Sequence, residues 1–119
     1  MKVKVLLIAL LLTAGFRISA QAQSQFAGRY DLLAGVSTGD AAGLFSYGTA
    51  TVITNGRAVY TVYWPYLGTS GSGSGSVNSR GVFAFTDGTS GSAQFYANRV
   101  AVGTYRQSYG RGFFALRKR

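Results

Sequence analysis

A run of aromatic side chains on both sides of Pro65 is the first candidate for a binding surface. Tyr and Trp combine a large ring, few rotamers and one polar atom, which suits the recognition of sugars or other proteins. The alternative is structural, because aromatic residues are ordinary strand residues. It places Tyr60 and Trp64 in the core and lets Tyr63 support a neighbouring strand, and we favour it. The run consists of Tyr60, Tyr63, Trp64 and Tyr66.

A set of arginines is the second candidate, in a chain whose formal net charge is +9. If the strands run up and down, Arg57, Arg80 and Arg99 each begin an odd-numbered strand and lie at one end of the sheet. That end could bind an anionic polysaccharide, a lipid head group or a nucleic acid. A simpler role is to keep a glycine-rich β protein soluble and to protect its edges. The opposite end is predicted to hold Arg106, Arg111 and residues 117–119.

The composition excludes most catalytic and metal chemistry. The chain has no His and no Cys, so it lacks histidine-based catalysis, thiol chemistry and the usual zinc ligands. Glycoside hydrolysis would need two carboxyl groups side by side, and calcium loops would need more acids than this chain has. We therefore predict that the protein is not an enzyme and uses no cofactor and no metal. Its three acidic residues are Asp31 and Asp40, which flank a predicted loop, and Asp87, which lies in a predicted turn.

The first 22 residues fit a secretory signal peptide. Lys2 and Lys4 form a basic start, residues 5–12 are an unbroken apolar run, and small residues precede a cleavage site after Ala22. The apolar run is shorter than the roughly 20 residues that a membrane-spanning helix needs. We predict an exported protein, located in the periplasm, at the cell surface or outside the cell.

Residues 23–119 are predicted to form a single all-β domain. Segments rich in Thr, Val, Ile and aromatic residues alternate with turn formers about every 8 to 12 residues, and none has helical spacing. This pattern predicts about eight short antiparallel strands in an up-and-down meander, closed as a small barrel or folded as a two-layer sandwich. Asn55-Gly56 predicts a type I′ turn, which needs positive φ at both residues. The stretch 68–75 alternates Gly and Ser and is predicted as a strand of small side chains, with a flexible linker as the alternative.

A twenty-residue period runs through the middle of the chain. Gly-Thr pairs open each copy, and the second and third copies share Gly-Thr-Ser-Gly-Ser. A period that holds two short strands and two turns indicates a β repeat unit. A β-solenoid with twenty-residue coils is the alternative fold, although the reversal at Asn55-Gly56 argues against it. The three hairpin-like repeats cover residues 48–67, 68–87 and 88–107.

A second pattern assigns the faces of the strands differently. The same six-residue pattern begins at Arg57, Arg80 and Arg111. It consists of arginine, a small residue, a β-branched or aromatic residue, an aromatic residue, a small residue and an apolar residue. The arginine pattern aligns Val62 with Phe85, whereas the twenty-residue period aligns it with Val82. The two alignments differ by an odd number of residues, so they assign opposite faces of the strand to the core. We favour the arginine-based register. It predicts three pairs on the core face: Tyr60 and Val62, Phe83 and Phe85, and Phe114 and Leu116.

These features predict an exported, non-enzymatic β protein with a structural, adhesive or matrix role at the cell surface. Its expected partners are further copies of itself or an anionic glycan or other cell-surface polymer, and no nucleic acid. The alternative is a small-ligand or glycan-binding barrel that uses its interior or the aromatic run, which a closed monomeric barrel with a cavity would favour. An outer-membrane-associated barrel ranks third, because the predicted strands are nearer 7 residues than the roughly 9–11 that span a bilayer.

Overall fold

The computed structural model describes residues 24–119, which form eight strands. Each strand pairs antiparallel with its neighbours in sequence, and the last pairs with the first, so the sheet closes into a barrel. The predicted all-β meander is confirmed, and closure selects the barrel over the sandwich and the solenoid. The proposed signal segment, residues 1–22, lies outside the described residues. The strands are β1 Gly28–Thr38, β2 Phe45–Val52, β3 Arg57–Trp64, β4 Thr69–Val77, β5 Val82–Phe85, β6 Ser90–Tyr96, β7 Val100–Gln107 and β8 Gly110–Lys118.

Side chains on each strand alternate between the interior of the barrel and its outer surface. Val59 and Phe113 point outward and are 62 % and 55 % exposed. The arginine-based register is therefore confirmed. All six of its core residues line the interior: Tyr60, Val62, Phe83, Phe85, Phe114 and Leu116.

Strand β4 shows why a Gly/Ser segment can be a strand of this barrel. Its glycines face the interior, where rings from neighbouring strands occupy the space that side chains would need. A Cβ on Gly75 would lie 2.4 Å from the Phe83 ring, and one on Gly73 would lie 2.3 Å from the Tyr60 hydroxyl. The serines that alternate with these glycines are exposed or half-buried. The prediction of a strand rather than a linker over residues 68–75 is confirmed for the part from Thr69 onward.

The twenty-residue repeats do not occupy equivalent places. Copies 68–87 and 88–107 coincide with the hairpins β4–β5 and β6–β7, whereas copy 48–67 begins in the middle of β2. Val62 lines the interior, but Val102 is half exposed outside. The period therefore follows the turns in the later copies and does not set which side chains are buried.

Phe26 closes the end of the barrel at which the odd-numbered strands begin, which we call the closed end. Its side chain is buried and its ring centroid lies 4.9 Å from that of Phe95. The Tyr30 hydroxyl donates a hydrogen bond to the Phe26 carbonyl. Gly81, with a φ of +77°, leaves room for the Phe26 ring. The opposite end, where the even-numbered strands begin, we call the open end.

The chain reverses at Asn55-Gly56 as predicted, but the predicted turn type is wrong. Gly56 has a φ of +88°, while Asn55 has none of the positive φ that a type I′ turn requires. The Gly56 N–H donates to the Ile53 carbonyl at 2.9 Å. The cause is loop length: the Ile53 N–H donates to the Arg57 carbonyl at 2.9 Å, so only the three residues 54–56 form the loop, and that length favours a type I turn followed by a left-handed glycine. Positive φ at two successive residues occurs instead at Ala97 and Asn98.

Replacing Gly56 with valine is expected to lower the free energy of unfolding by more than about 1 kcal/mol, because a β-branched residue resists positive φ. Urea denaturation of both proteins measures the difference. Thr54→Val, in the same loop but without positive φ, is the control and should have the smaller effect. An unchanged denaturation midpoint for Gly56→Val would show that this turn does not constrain the fold.

Candidate functional site

A cavity of about 190 Å³ lies within the barrel and extends toward the open end. Small side chains on three adjacent strands make room for it, namely Ala34 on β1, Ala50 on β2 and Ala58 on β3. Because these strands place only a methyl group at those positions, the rings from the opposite wall do not fill the interior. The wall of the cavity is predominantly apolar and has no charged side chain among its lining residues.

Six aromatic rings in the wall of this cavity form a series in which each ring contacts the next. Neighbouring rings meet at tilted or edge-to-face angles, with centroids 5.1–6.4 Å apart. Its first and last rings both lie on the inward face of β3, and the rings between them belong to β5, β7, β8 and the turn before β8. Such contacts favour well-defined ring positions. In order, the rings are Tyr60, Phe85, Phe114, Tyr105, Tyr109 and Trp64.

Two hydroxyl groups in the wall of the cavity lack hydrogen-bond partners. Ser46 Oγ and the Tyr105 hydroxyl are both buried and both residues line the cavity. Burial raises the pKa of Tyr105, and the nearby Tyr109 hydroxyl adds to the effect. The two tyrosine hydroxyls nevertheless do not meet with the geometry of a hydrogen bond. Most buried polar groups in proteins are satisfied, so this pair marks an unusual place in the core.

Asp87 holds the turn between β5 and β6 against the wall of the open end. Its carboxylate accepts hydrogen bonds from the Tyr60 hydroxyl at 2.6 Å, the Ser74 N–H at 3.1 Å and the Thr89 N–H at 2.9 Å. Partial burial by itself raises the pKa of Asp87, but these hydrogen bonds outweigh it and hold the pKa below its usual value. Burial, followed by the bond to Asp87, raises the pKa of Tyr60. The turn therefore fixes one of the rings around the cavity.

Acid is expected to weaken this attachment. Because the pKa of Asp87 is lowered in the folded state, its contribution to stability is present above the unfolded pKa of about 3.9 and is lost as the pH falls through the lower folded value. Asp87→Asn should destabilise the protein near neutral pH, and its deficit should shrink below about pH 4. Melting temperatures between about pH 2.5 and 7 measure this. Asp40→Asn, in an exposed loop, is the control, and a deficit for Asp87→Asn that does not change with pH would contradict the assignment.

The predicted aromatic run is divided between the two faces of the barrel. Tyr60 and Trp64 line the cavity, whereas Tyr63 and Tyr66 are exposed outside. The Tyr63 ring contacts that of Tyr47 on β2, with centroids 5.8 Å apart. The placement that the structural interpretation predicted is correct for Tyr60, which packs against the core, and for Tyr63, which packs against the neighbouring strand, while Trp64 is half-buried beside the cavity. A role of the run in binding stays a prediction. The four side chains do not form one surface.

The predicted end of the barrel is correct for one group of arginines and wrong for the cationic residues at the C-terminus. Arg57, Arg80 and Arg99 lie at the closed end, where β3, β5 and β7 begin. Residues 117–119 lie there too, and not at the open end, because an eighth strand runs opposite to the seventh and finishes beside the start of β1. Asp31 accepts from Arg119 Nε at 2.7 Å, and this bond is the main cause that lowers the pKa of Asp31.

The outer surface of the barrel varies around its circumference. Strand β4 presents serines, and β6 and β7 present polar residues together with Tyr96 and Val102, while β8, β1, β2 and β3 present a contiguous apolar surface, which we call the outer wall. Leu33 pairs with Tyr47 across β1 and β2, and the Phe113 ring covers Gly35. The Phe45 and Tyr66 rings lie 5.5 Å apart. The outer wall consists of Leu33, Phe45, Tyr47, Tyr63, Tyr66 and Phe113, which are 38–65 % exposed.

Comparison of the chain with protein-family models, with curated proteins and with solved structures found no match. Within residues 24–119, no group of three or more His, Cys, Asp or Glu side chains is placed to hold a metal ion. The same range contains no helix that is long and apolar enough to cross a membrane. The candidate site therefore depends on its own geometry.

Sequence analysis missed several residues of the cavity. Tyr105, Tyr109 and Ser46 were not among the candidates, although all three line it. The available signal was the alternation of side chains along a strand, because residues two apart point to the same face. Counting in steps of two from the inward residues of β7 and β2 reaches Tyr105 and Ser46. That count identifies an inward polar group, but it does not show which inward positions surround empty space.

Proposed function

We propose that the protein binds a small, largely apolar molecule inside its barrel. The observation that carries this proposal is the cavity of about 190 Å³ toward the open end, whose lining is mostly apolar and rich in aromatic rings. Concave, mostly apolar pockets with a few polar groups are the usual form of small-molecule sites. The mouth of a closed barrel is a common place for such a site. Binding without catalysis also agrees with the absence of His and Cys.

The volume of the cavity sets the size of the ligand. An engineered apolar cavity of about 150 Å³ binds benzene. A cavity of 190 Å³ therefore suits one six-membered ring with one or two substituents. Larger ligands of drug size fill about 300–1,000 Å³. Polysaccharide chains exceed this space, so the interior favours a small molecule over a glycan polymer.

Binding can be measured with the protein's own fluorescence. Trp64 is the single tryptophan of the chain and lines the cavity, so its emission reports on occupancy. Titration with toluene is expected to change the emission with saturation. A ligand at 100 times its dissociation constant should also stabilise the fold by about 2.7 kcal/mol, seen as a higher melting temperature. No change in either signal up to the solubility limit of toluene would overturn the proposal.

A cavity-filling variant tests the location. Ala58→Leu adds a branched side chain inside the cavity, and toluene binding should be lost while the protein stays folded. Val59→Leu is the matched control, because the adjacent residue points outward and is mostly exposed. Retained binding by folded Ala58→Leu would place the ligand elsewhere. Melting curves of both variants establish that they fold.

The outer wall favours a second candidate, self-association of a structural or adhesive protein. Six side chains of about 150–250 Å² each, about half exposed, give roughly 600 Å² of contiguous surface. The largest apolar patch on a typical monomer covers about 300–600 Å², so the area of the outer wall is at the top of that range. It is also close to the roughly 800 Å² that each partner buries in a stable interface. We propose a second copy of the chain as the occupant.

Sedimentation equilibrium tests the second candidate. Leu33→Lys places a charge in the outer wall and should shift the protein toward monomer, whereas Ser92→Lys, which adds the same charge to the serine-rich side, should not. A parent protein that is monomeric at all concentrations would remove self-association from consideration. Equal effects of the two lysines would show that the copies meet elsewhere.

A further inference from the structure

We propose that the closed end of the barrel docks on the surface of a bilayer that contains anionic lipids. The inference concerns a different part of the molecule from the cavity and does not depend on the proposed function. Two observations carry it. The net positive side-chain charge of residues 24–119 lies at this end, and exposed apolar side chains lie among the cations.

The net side-chain charge of residues 24–119 is confined to one end of the barrel. Of their nine cationic side chains, only Arg106 and Arg111 lie at the open end, where Asp40 and Asp87 balance them. The closed end holds the other seven cations and one acid, Asp31, which gives it a net side-chain charge of +6. This separation of charge along the barrel turns the closed end toward an anionic partner. The seven cations are Arg29, Arg57, Arg80, Arg99 and the three residues 117–119.

The cations surround the closed end. The chain reaches that end at the start of β1, at three connections between strands and at the end of β8, and a cation lies at or beside each of these five places. The Lys118 N–H donates to the Arg99 carbonyl at 2.7 Å, and the Arg119 N–H donates to the Arg29 carbonyl at 2.9 Å, so these four residues follow one another along the rim. Six of the seven cations are exposed. A linear polymer follows one side of a protein, whereas a broad surface can contact a whole rim at once.

Exposed apolar side chains lie between these cations. Ile53 is exposed in the connection from β2 to β3, where its N–H donates to the Arg57 carbonyl. Tyr96 and Val100 are exposed and pair across β6 and β7, on either side of the turn that holds Arg99. Apolar and aromatic side chains beside cations can enter the boundary between the head groups and the acyl chains of an anionic bilayer. A hydrated polysaccharide offers no comparable apolar region, so these side chains favour a lipid surface.

Vesicle binding by the full chain tests the inference. Vesicles of phosphatidylcholine alone are compared with vesicles of equal parts of phosphatidylcholine and phosphatidylglycerol, and co-sedimentation gives the partition coefficient for each. We expect the anionic vesicles to bind the protein more tightly than the neutral ones. Salt should reduce this preference, because it screens charges beyond a Debye length of about 8 Å at 0.15 M. Anionic vesicles that bind no better than neutral ones at low salt would overturn the inference.

Two double variants locate the contact. Arg80→Gln with Arg99→Gln removes two charges from the closed end. Arg106→Gln with Arg111→Gln is the matched control, because it removes two exposed charges from the open end. Each Lys or Arg near an anionic bilayer strengthens binding about fivefold, so the closed-end variant should bind anionic vesicles about 25-fold more weakly and the control less than about threefold. Equal losses would show that the closed end does not face the bilayer and would overturn the inference; melting curves establish that both variants fold.

A further pair of variants distinguishes a bilayer from a soluble polyanion. Ile53→Ser removes an apolar side chain from the closed end, and Val102→Ser removes one of nearly equal exposure, 50 % against 51 %, from the outer face of β7. Ile53→Ser should weaken binding to anionic vesicles about fivefold, the effect of burying roughly half of an isoleucine side chain, and leave binding to dextran sulfate unchanged. Val102→Ser should change neither. Equal effects of the two serines on vesicle binding would assign the closed end to a soluble polyanion and overturn the inference, whereas the toluene titration tests the cavity separately.

Discussion

Replacing Phe114 with alanine is expected to lower the free energy of unfolding by about 3–5 kcal/mol. The Phe114 side chain is buried and its ring contacts those of Phe83, Phe85 and Tyr105. Removal of the ring loses this apolar burial and joins its volume to the existing cavity, which the rigid strands cannot collapse to fill. Typical domains are stable by only about 5–15 kcal/mol, so this one change removes a large fraction of the free energy of unfolding.

Phe113→Ala is the matched control for Phe114→Ala. The adjacent residue has the same side chain but points outward and is 55 % exposed. Phe113→Ala should lower the free energy of unfolding clearly less than Phe114→Ala, because truncating an exposed ring loses little burial and opens no cavity. Guanidinium denaturation of both variants gives the two differences. Equal losses, or a larger loss for Phe113, would show that the inward and outward faces of β8 are assigned the wrong way round.

Replacing Gly75 with alanine is expected to destabilise the barrel by about 1–3 kcal/mol, the usual cost of overpacking a core. The added Cβ would lie 2.4 Å from the Phe83 ring and 2.7 Å from the Ala84 carbonyl oxygen. The ring is buried, and the carbonyl belongs to the neighbouring strand that pairs with β4, so neither can move freely. The fold would have to shift β4 away from β5.

Gly71→Ala tests the same argument with the opposite expectation. Gly71 lies on the same strand and faces the same interior, but the nearest atom to an added Cβ is Val62 Cγ2 at 3.8 Å, an ordinary contact. Alanine there should be neutral or stabilise by up to about 1 kcal/mol, because it restricts the unfolded chain. Equal effects at Gly71 and Gly75 would show that the rings do not determine where β4 needs glycine.

Closure of the barrel explains how a short chain without cysteine can hold an interior space. A closed sheet has no free edges, so backbone pairing is continuous around it. Phe26 covers one end, and the hydrogen bonds of Asp87 secure the turn at the other. The strand framework therefore carries stability that disulfides supply in many secreted domains of this size. This rigid framework is what allows small residues to leave a cavity.

The alternation of side chains along a strand allowed part of the candidate site to be predicted from the sequence. Tyr60 and Trp64 are four residues apart on β3, so any register that buries one buries the other. Tyr105 and Ser46 were missed because a hydroxyl at an inward position is indistinguishable by sequence from one that finds a partner. Only the absence of a neighbouring donor or acceptor identifies them, and that depends on strands far apart in the chain.

The sequence by itself predicted about eight strands in a meander, because turn residues and the period of two are local properties of the chain. It left two registers for the buried face, and the structure decided for the arginine-based one. Tertiary structure alone decided that β8 closes on β1, that residues 117–119 lie with the other cations, and that a cavity exists. These outcomes depend on strand number, register and the meeting of large and small side chains across the barrel. Such contacts join residues as distant as Leu32 and Leu116, and no local pattern records them.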